Sequence, residues 1–118
     1  MQELTKAEEQ VMHVLWDLEK AFVKEIVAKF PEPKPAYNTV STIIRILEKK
    51  KVVGHESFGR THRYFPLVSR DMYANQTADH LLNNYFKGSA ENLLSFFVKE
   101  KNISVEELEA IMKHIKES

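Results

Sequence analysis

The chain has 118 residues, of which 43% are hydrophobic and 29% are charged, a composition typical of a globular domain. It contains no cysteine, which excludes a disulfide framework, a thiolate metal site and a cysteine nucleophile. It has no apolar run long enough to span a membrane, and the N-terminus lacks a signal-peptide pattern, so we expect a cytoplasmic protein that does not insert into membranes.

The charges are distributed unevenly along the chain. The whole sequence is neutral, with 17 basic and 17 acidic residues, whereas residues 34–70 carry eight Lys and Arg residues against two Glu, a net charge of +6. The segments on either side each carry a net charge of −3. A basic segment between acidic ones indicates a surface that faces phosphate groups, although an ordinary solvated run of charges would give the same pattern.

The first third of the chain predicts two helices. Thr5 and Glu8 have the spacing of a capping box, and the apolar residues that follow recur at helical intervals, which predicts a helix over residues 6–19. A second helical pattern covers residues 23–30 and ends at Pro31, because proline lacks the backbone amide that a continuing helix requires.

A third helix is predicted to begin near residues 36–37, after a proline that favours helix starts. Its apolar residues Val40, Ile43, Ile44 and Leu47 fall on one face. Polar side chains on the opposite face have lengths that reach base edges and phosphates, although any amphipathic helix has a polar outer face. These predicted DNA-contacting residues are Asn38, Ser41, Thr42, Arg45 and Lys49.

A β-hairpin is predicted next, with strands over residues 52–57 and 62–65 and a turn that contains Gly59. The hairpin presents Arg60, Thr61 and Arg63 as further candidates for DNA contact. Three helices followed by a hairpin with a basic tip is the order of a winged helix. The sequence therefore predicts a mainly α fold with a small β-hairpin, whose winged helix-turn-helix covers residues 1–68 and binds double-stranded DNA.

Residues 69–118 predict three more helices, two of them opened by Ser89 and Ser104 as caps. So short a segment rarely buries many large apolar side chains alone, so we expect a helical dimerisation domain that pairs with a second copy. The alternative is a monomer in which these helices fold back onto the N-terminal domain. The predicted dimerisation residues are Met72, Tyr73, Leu81, Leu82, Tyr85, Phe86, Leu93, Leu94, Phe97, Leu108, Ile111, Met112 and Ile115.

Four motifs in continuous order over roughly residues 4–70 resemble the BlaI/MecI/CopY family of bacterial repressors. The first comprises Leu4, Thr5, Ala7, Glu8, Val11, Met12, Leu15 and Trp16, and the others are residues 23–26, residues 37–43, and Gly59 and Arg60 with Tyr64 and Pro66. The resemblance implies a homodimer that blocks transcription from a dyad-symmetric operator. It makes the third helix the recognition helix, adds Tyr37 and Thr39 to its DNA contacts, and places the wing at residues 57–62.

The resemblance also bears on the inducing signal. Members of the family respond to copper through a cysteine-rich tail, which this chain lacks, or to β-lactams through proteolysis of the repressor by a pathway with a membrane sensor protease. The corresponding cleavage position is Phe96–Phe97, where the family has an asparagine before the phenylalanine.

Other classes of function have weaker support. The five histidines and many carboxylates could supply acid–base chemistry, but none lies in a recognisable motif, so we predict no enzyme activity and no cofactor. His55 and His62 lie on paired strands, but two imidazoles without a third ligand make a weak metal site, and we predict no metal. A winged helix can also bind another protein, and a transcriptional activator would need the same DNA contacts as a repressor.

Overall fold

The computed structural model describes residues 3–117, and their fold is mainly helical with one small antiparallel sheet. This confirms the predicted fold class. The elements in chain order are α1 (Lys6–Leu18), β1 (Ala21–Phe22), α2 (Val23–Lys29), α3 (Tyr37–Lys49), β2 (Val53–Phe58), β3 (Thr61–Pro66), α4 (Arg70–Tyr85), α5 (Ala90–Glu100) and α6 (Val105–Glu117).

The chain forms two compact units. The first extends to Tyr73 and the second begins at Ala74, so the boundary falls within α4. The first unit contains α1 to α3, the sheet and the first turn of α4, whereas the second contains the rest of α4 with α5 and α6.

The core of the first unit lies between its three helices and the sheet. Met12 and Leu15 of α1, Ile26 of α2 and Ile44 and Leu47 of α3 are completely buried. Burying an aliphatic side chain of this size contributes roughly 1.5–3 kcal/mol, so these residues fix the helices against one another. Helix α3 is thereby held with its apolar face inward and its polar face toward solvent.

The sheet contains a strand that the sequence analysis did not predict. The strand order is β1-β3-β2, and Ala21 and Phe22 of β1 lie opposite Tyr64 and Arg63 of β3. Two residues are too few to show the alternation of polar and apolar side chains that marks a strand in a sequence. This short strand places the start of α2 beside the hairpin.

The predicted capping box at the start of α1 is present and includes a buried charge. Glu8 is 4% exposed, accepts a hydrogen bond from the Thr5 amide at 2.8 Å and forms an ion pair with Lys50 at 2.8 Å. Burial raises the pKa of Glu8, but the hydrogen bonds from Lys50 and Thr5 and the charge of Lys50 outweigh it and leave the pKa below its ordinary value. The ionised carboxylate therefore stabilises the fold.

We expect Glu8→Ala to lower the free energy of unfolding by about 2–4 kcal/mol, because it leaves the ammonium of Lys50 without its partner and removes half of the capping box. The pKa of Glu8 is lowered in the folded state, so this contribution is complete above about pH 4.5 and is lost as the pH falls through the lowered value. Urea unfolding at pH 7 and pH 3 measures both effects. Glu56→Ala is the control, because Glu56 forms a solvent-exposed ion pair with Lys20 and its loss should matter much less. Equal losses for the two variants would contradict the prediction.

The first turn of α4 is attached to α1. The Trp16 indole donates a hydrogen bond to the Val68 carbonyl at 2.8 Å, and Arg70 pairs with Asp17 at 2.7 Å. Tyr73 packs on the Trp16 ring, donates a hydrogen bond to Glu9 and is only 7% exposed. Tyr73 therefore belongs to the core of the first unit, which removes it from the predicted dimerisation surface.

The helices of the second unit leave their apolar side chains accessible. Among the described residues from 74 to 117, none is fully buried. Ser89 and Ser104 cap α5 and α6 as predicted, through hydrogen bonds to the amides of Asn92 and Glu107. The large apolar residues exposed in this unit are Leu81, Tyr85, Leu94, Phe96, Val105, Ile111, Met112 and Ile115.

Candidate nucleic-acid interface

Helix α3 supplies a polar, solvent-facing surface. Ala36 precedes the helix in an extended conformation and offers no side-chain cap, so the amides of the first turn point outward with the positive end of the helix dipole. Arg45 and Lys49 lie further along the exposed side. Of the predicted contact residues on α3, Ser41 is half-buried, and Tyr37, Asn38, Thr39, Thr42, Arg45 and Lys49 are exposed.

A cleft of about 610 Å³ lies between α3, the start of α2 and the hairpin. Tyr37, Ser41 and Arg45 line it from α3, and Arg60 and Thr61 line it from the hairpin. Two of the predicted phosphate- or base-contacting arginines thus lie on one concave surface, although they are separated in sequence. The remaining lining residues are Phe22, Val23, Lys24, Glu25, His62 and Tyr64.

The turn of the hairpin is shaped by local chemistry. Gly59 has a φ of 64°, in the left-handed region that side chains disfavour, and the Thr61 hydroxyl donates to the Phe58 carbonyl at 2.9 Å. Arg60 lies between them and is exposed. The turn therefore presents one arginine toward the cleft on a rigid support.

Arg63 does not join this surface. Successive side chains of a strand point to opposite faces, so Arg63 lies on the face of β3 opposite to His62 and Tyr64. Its guanidinium donates to Glu56 at 3.3 Å and lies 4.8 Å from the centre of the Phe58 ring. Arg63 is engaged within the hairpin, and the prediction that it contacts DNA receives no support from its position.

Lys49, Asn38 and Thr42 lie outside the lining of the cleft. They occupy the outermost side of α3, since positions four, seven and eleven residues apart share one side of a helix. The Thr42 hydroxyl donates to the Asn38 carbonyl of the same helix at 2.9 Å, which leaves its oxygen as an acceptor. The exposed surface of α3 is thus polar and basic from its first to its last turn.

Comparison with known proteins supplies the family. The family model described as "Penicillinase repressor" matches residues 4–117, almost the whole chain. The chain belongs to the penicillinase repressor family. The resemblance to BlaI/MecI/CopY repressors is thereby confirmed, and the chain is a DNA-binding transcriptional repressor.

Two relatives and one solved structure show how far the similarity extends. The methicillin resistance regulatory protein MecI of Staphylococcus aureus is 26% identical, over 92% of this chain and 89% of that protein. The penicillinase repressor of Bacillus licheniformis is 22% identical, over 98% of this chain and 91% of its own. A structure titled for the regulation of DNA binding of Bordetella bronchiseptica BpsR by 6-hydroxynicotinic acid has a TM-score of 0.50 at 18% identity, over 98% of this chain and 75% of that one, and shows the fold alone.

The repressor has cleft residues that the sequence analysis did not select. Lys24 lies in one of the family motifs but was not separated from the helix in which it occurs, and Phe22 belongs to the unpredicted strand. His62 and Tyr64 alternate along β3, and this alternation is the signal that could have placed both on the α3 side of the sheet. Burial and the nearby carboxylate of Glu48 raise the pKa of Tyr64, so its hydroxyl stays protonated and can donate a hydrogen bond.

Two further features concern the described part of this repressor. None of the helices within residues 3–117 is long and apolar enough to cross a lipid bilayer. No group of three or more His, Asp or Glu side chains among the same residues is placed to hold a metal ion.

Proposed function

We propose that this repressor binds a dyad-symmetric operator in the cytoplasm as a homodimer, with α3 in the major groove and the hairpin as a wing against the phosphate backbone. The observation that carries the proposal is the common surface formed by Arg45 of α3 and Arg60 of the hairpin. A duplex lying along this surface would meet both guanidinium groups at once.

The DNA contacts divide into two classes. Arg60 at the wing and Lys49 at the end of α3 neutralise phosphates, which gives an affinity that falls with salt concentration. Arg45 and Asn38 are suited to base edges, because Arg bonds guanine and Asn bonds adenine in bidentate geometry. Tyr37, Thr39, Ser41, Thr42 and Thr61 complete the proposed contact set.

The exposed apolar surface of the second unit supports the dimer. Ile111, Met112 and Ile115 of α6 are 51%, 52% and 64% exposed, and Tyr85 of α4 is 72% exposed. Exposed apolar residues in such number within one small unit mark an interaction surface. A second copy of the same surface would cover it, and the symmetry of that pairing matches an operator with two equivalent half-sites.

Proteolysis in the second unit is the proposed route of release. Phe96 and Phe97 lie within α5 and pack edge-to-face at 6.0 Å, with Phe96 also against Phe86 at 5.4 Å. A protease must unwind this part of α5 before it can cut, and cutting there would separate α6 from the rest of the unit. A membrane sensor protease would then lower operator affinity without touching α3 or the wing.

The test is selection of DNA by the purified chain from a random duplex pool, followed by footprinting on the selected sequence. We expect an inverted repeat whose half-sites are separated by about 34–36 Å or a multiple of it. Analytical ultracentrifugation of the complex should give two chains per duplex. Failure to enrich any sequence, or enrichment of a single half-site bound by one chain, would overturn the proposal.

A further inference from the structure

A chain of contacts links the recognition helix to the wing. The carboxylate of Glu48, in the last turn of α3, hydrogen-bonds to Nδ1 of His55 on β2. The His55 ring stacks on the His62 ring of β3, with ring centres 4.1 Å apart and planes inclined by 7°. His62 in turn lines the cleft that contains Arg45 and Arg60.

The strand register explains why these rings meet. His55 lies directly opposite Tyr64, and His62 lies two residues before Tyr64 on the same strand, so all three share the face of the sheet toward α3. His55 and His62 are therefore diagonal cross-strand neighbours, a separation that aromatic rings can bridge. Their centres lie 5.8 and 6.0 Å from that of Tyr64.

The charges around the pair favour one proton near Glu48 and oppose a second near the cleft. Two imidazolium rings at this distance repel each other, and Glu48 stabilises positive charge on His55 only. The groups that face the pair or its side of the cleft are the anions Glu48 and Glu25, the cations Arg45, Arg60 and Lys24, and the neutral phenols Tyr37 and Tyr64. Cations exceed anions on the side of His62, and a DNA phosphate entering the cleft would reverse that balance.

We propose that His62 is a DNA-contacting residue that gains a proton as the phosphate backbone enters the cleft, and that Glu48 and His55 position its ring. This inference rests on the proposed function, because it requires DNA in the cleft. Histidine suits the role, since its ordinary titration range lies near neutral pH. His55 and Glu48 act through His62 by fixing the wing to the end of the recognition helix.

Proton uptake on binding makes DNA affinity depend on pH. Linkage requires the affinity to rise as the pH falls, by up to about tenfold per pH unit for each proton taken up. The increase should extend from about pH 8 to about pH 6, where histidines change charge. A ring that is only packed against DNA would contribute the same factor at every pH.

The experiment measures the dissociation constant of a fluorescein-labelled duplex, selected by the chain from a random pool, at constant salt between pH 6 and pH 8. His62→Gln removes the titrating group and keeps a hydrogen-bonding side chain, so it should abolish most of the pH dependence. His13→Gln is the matched control, because His13 is exposed on α1 and lies outside the cleft. It should keep the wild-type slope.

Glu48→Gln tests the positioning role. Loss of the carboxylate that holds His55 should shift the rise in affinity to lower pH, an effect that a purely structural change would not produce. Imidazole NMR signals of the wild-type chain, titrated free and bound to the duplex, show directly whether His62 gains the proton, and circular dichroism confirms that each variant is folded.

Three results would overturn the inference: a wild-type affinity that does not vary with pH, a His62→Gln curve parallel to the wild-type curve, or a Glu48→Gln curve that coincides with the wild-type curve. Each can arise while the selected duplex still binds, in which case the proposed function stands. If no duplex is selected, the proposed function itself fails.

Discussion

Replacing Ile111 by glutamate is expected to convert the repressor from a dimer to a monomer and to weaken operator binding by roughly 100-fold or more. Ile111 is 51% exposed on α6, so the change should cost the single chain little stability. In the proposed dimer the same position is covered by the partner, and a buried carboxylate without a counter-charge is costly. Two linked reading heads gain about 10²–10⁴ in affinity over one, and this gain is lost when the pair separates.

Sedimentation equilibrium and operator titration measure the two parts of this prediction. Ala110→Glu is the control, because Ala110 is exposed and lies on the side of α6 away from Leu108, Ile111 and Ile115. It introduces the same charge one residue earlier and should leave the dimer and its affinity close to those of the wild type. A monomeric wild-type chain at micromolar concentration, or an Ile111→Glu variant that remains dimeric, would refute the proposed dimerisation surface.

Arg45→Ala and Arg60→Ala should weaken operator binding in different ways. Arg45 lies on α3, where a bidentate bond to guanine discriminates against other bases by about 1–3 kcal/mol, so its loss should cost roughly 10- to 100-fold on the operator and less on random DNA. Arg60 lies at the wing, where a phosphate contact carries no sequence information. Its loss should weaken binding to both DNAs alike and reduce the salt dependence, as the slope of log affinity against log salt, by about one per contact.

Arg63→Ala provides the comparison within the same hairpin. Arg63 lies three residues after Arg60 but is held by Glu56 and the Phe58 ring on the opposite face of the sheet. Its removal should change operator affinity much less than removal of Arg60. Titrations of a selected operator and of a random duplex at several salt concentrations distinguish the three variants, and equal effects of Arg60→Ala and Arg63→Ala would show that the cleft does not face DNA.

The sequence determined the elements whose signals are local. The capping box of Thr5 and Glu8, the apolar face of α3 and the glycine of the hairpin turn each depend on residues a few positions apart, and each predicted element is present. The four motifs over residues 4–70 were sufficient to indicate the family. The polar surface of α3 followed as well, because a helix that buries Val40, Ile44 and Leu47 must turn its other side to solvent.

The tertiary structure decided which of the candidate residues share a surface. Arg45 and Arg60 line one cleft because long-range packing of the hairpin against α3 places them there, while the alternation of strand side chains directs Arg63 to the other face. Tyr73 lies in the core because Trp16 and Glu9, far away in sequence, bind it. Helical periodicity and capping act over one or two turns, whereas these placements depend on contacts between distant segments, which no local pattern specifies.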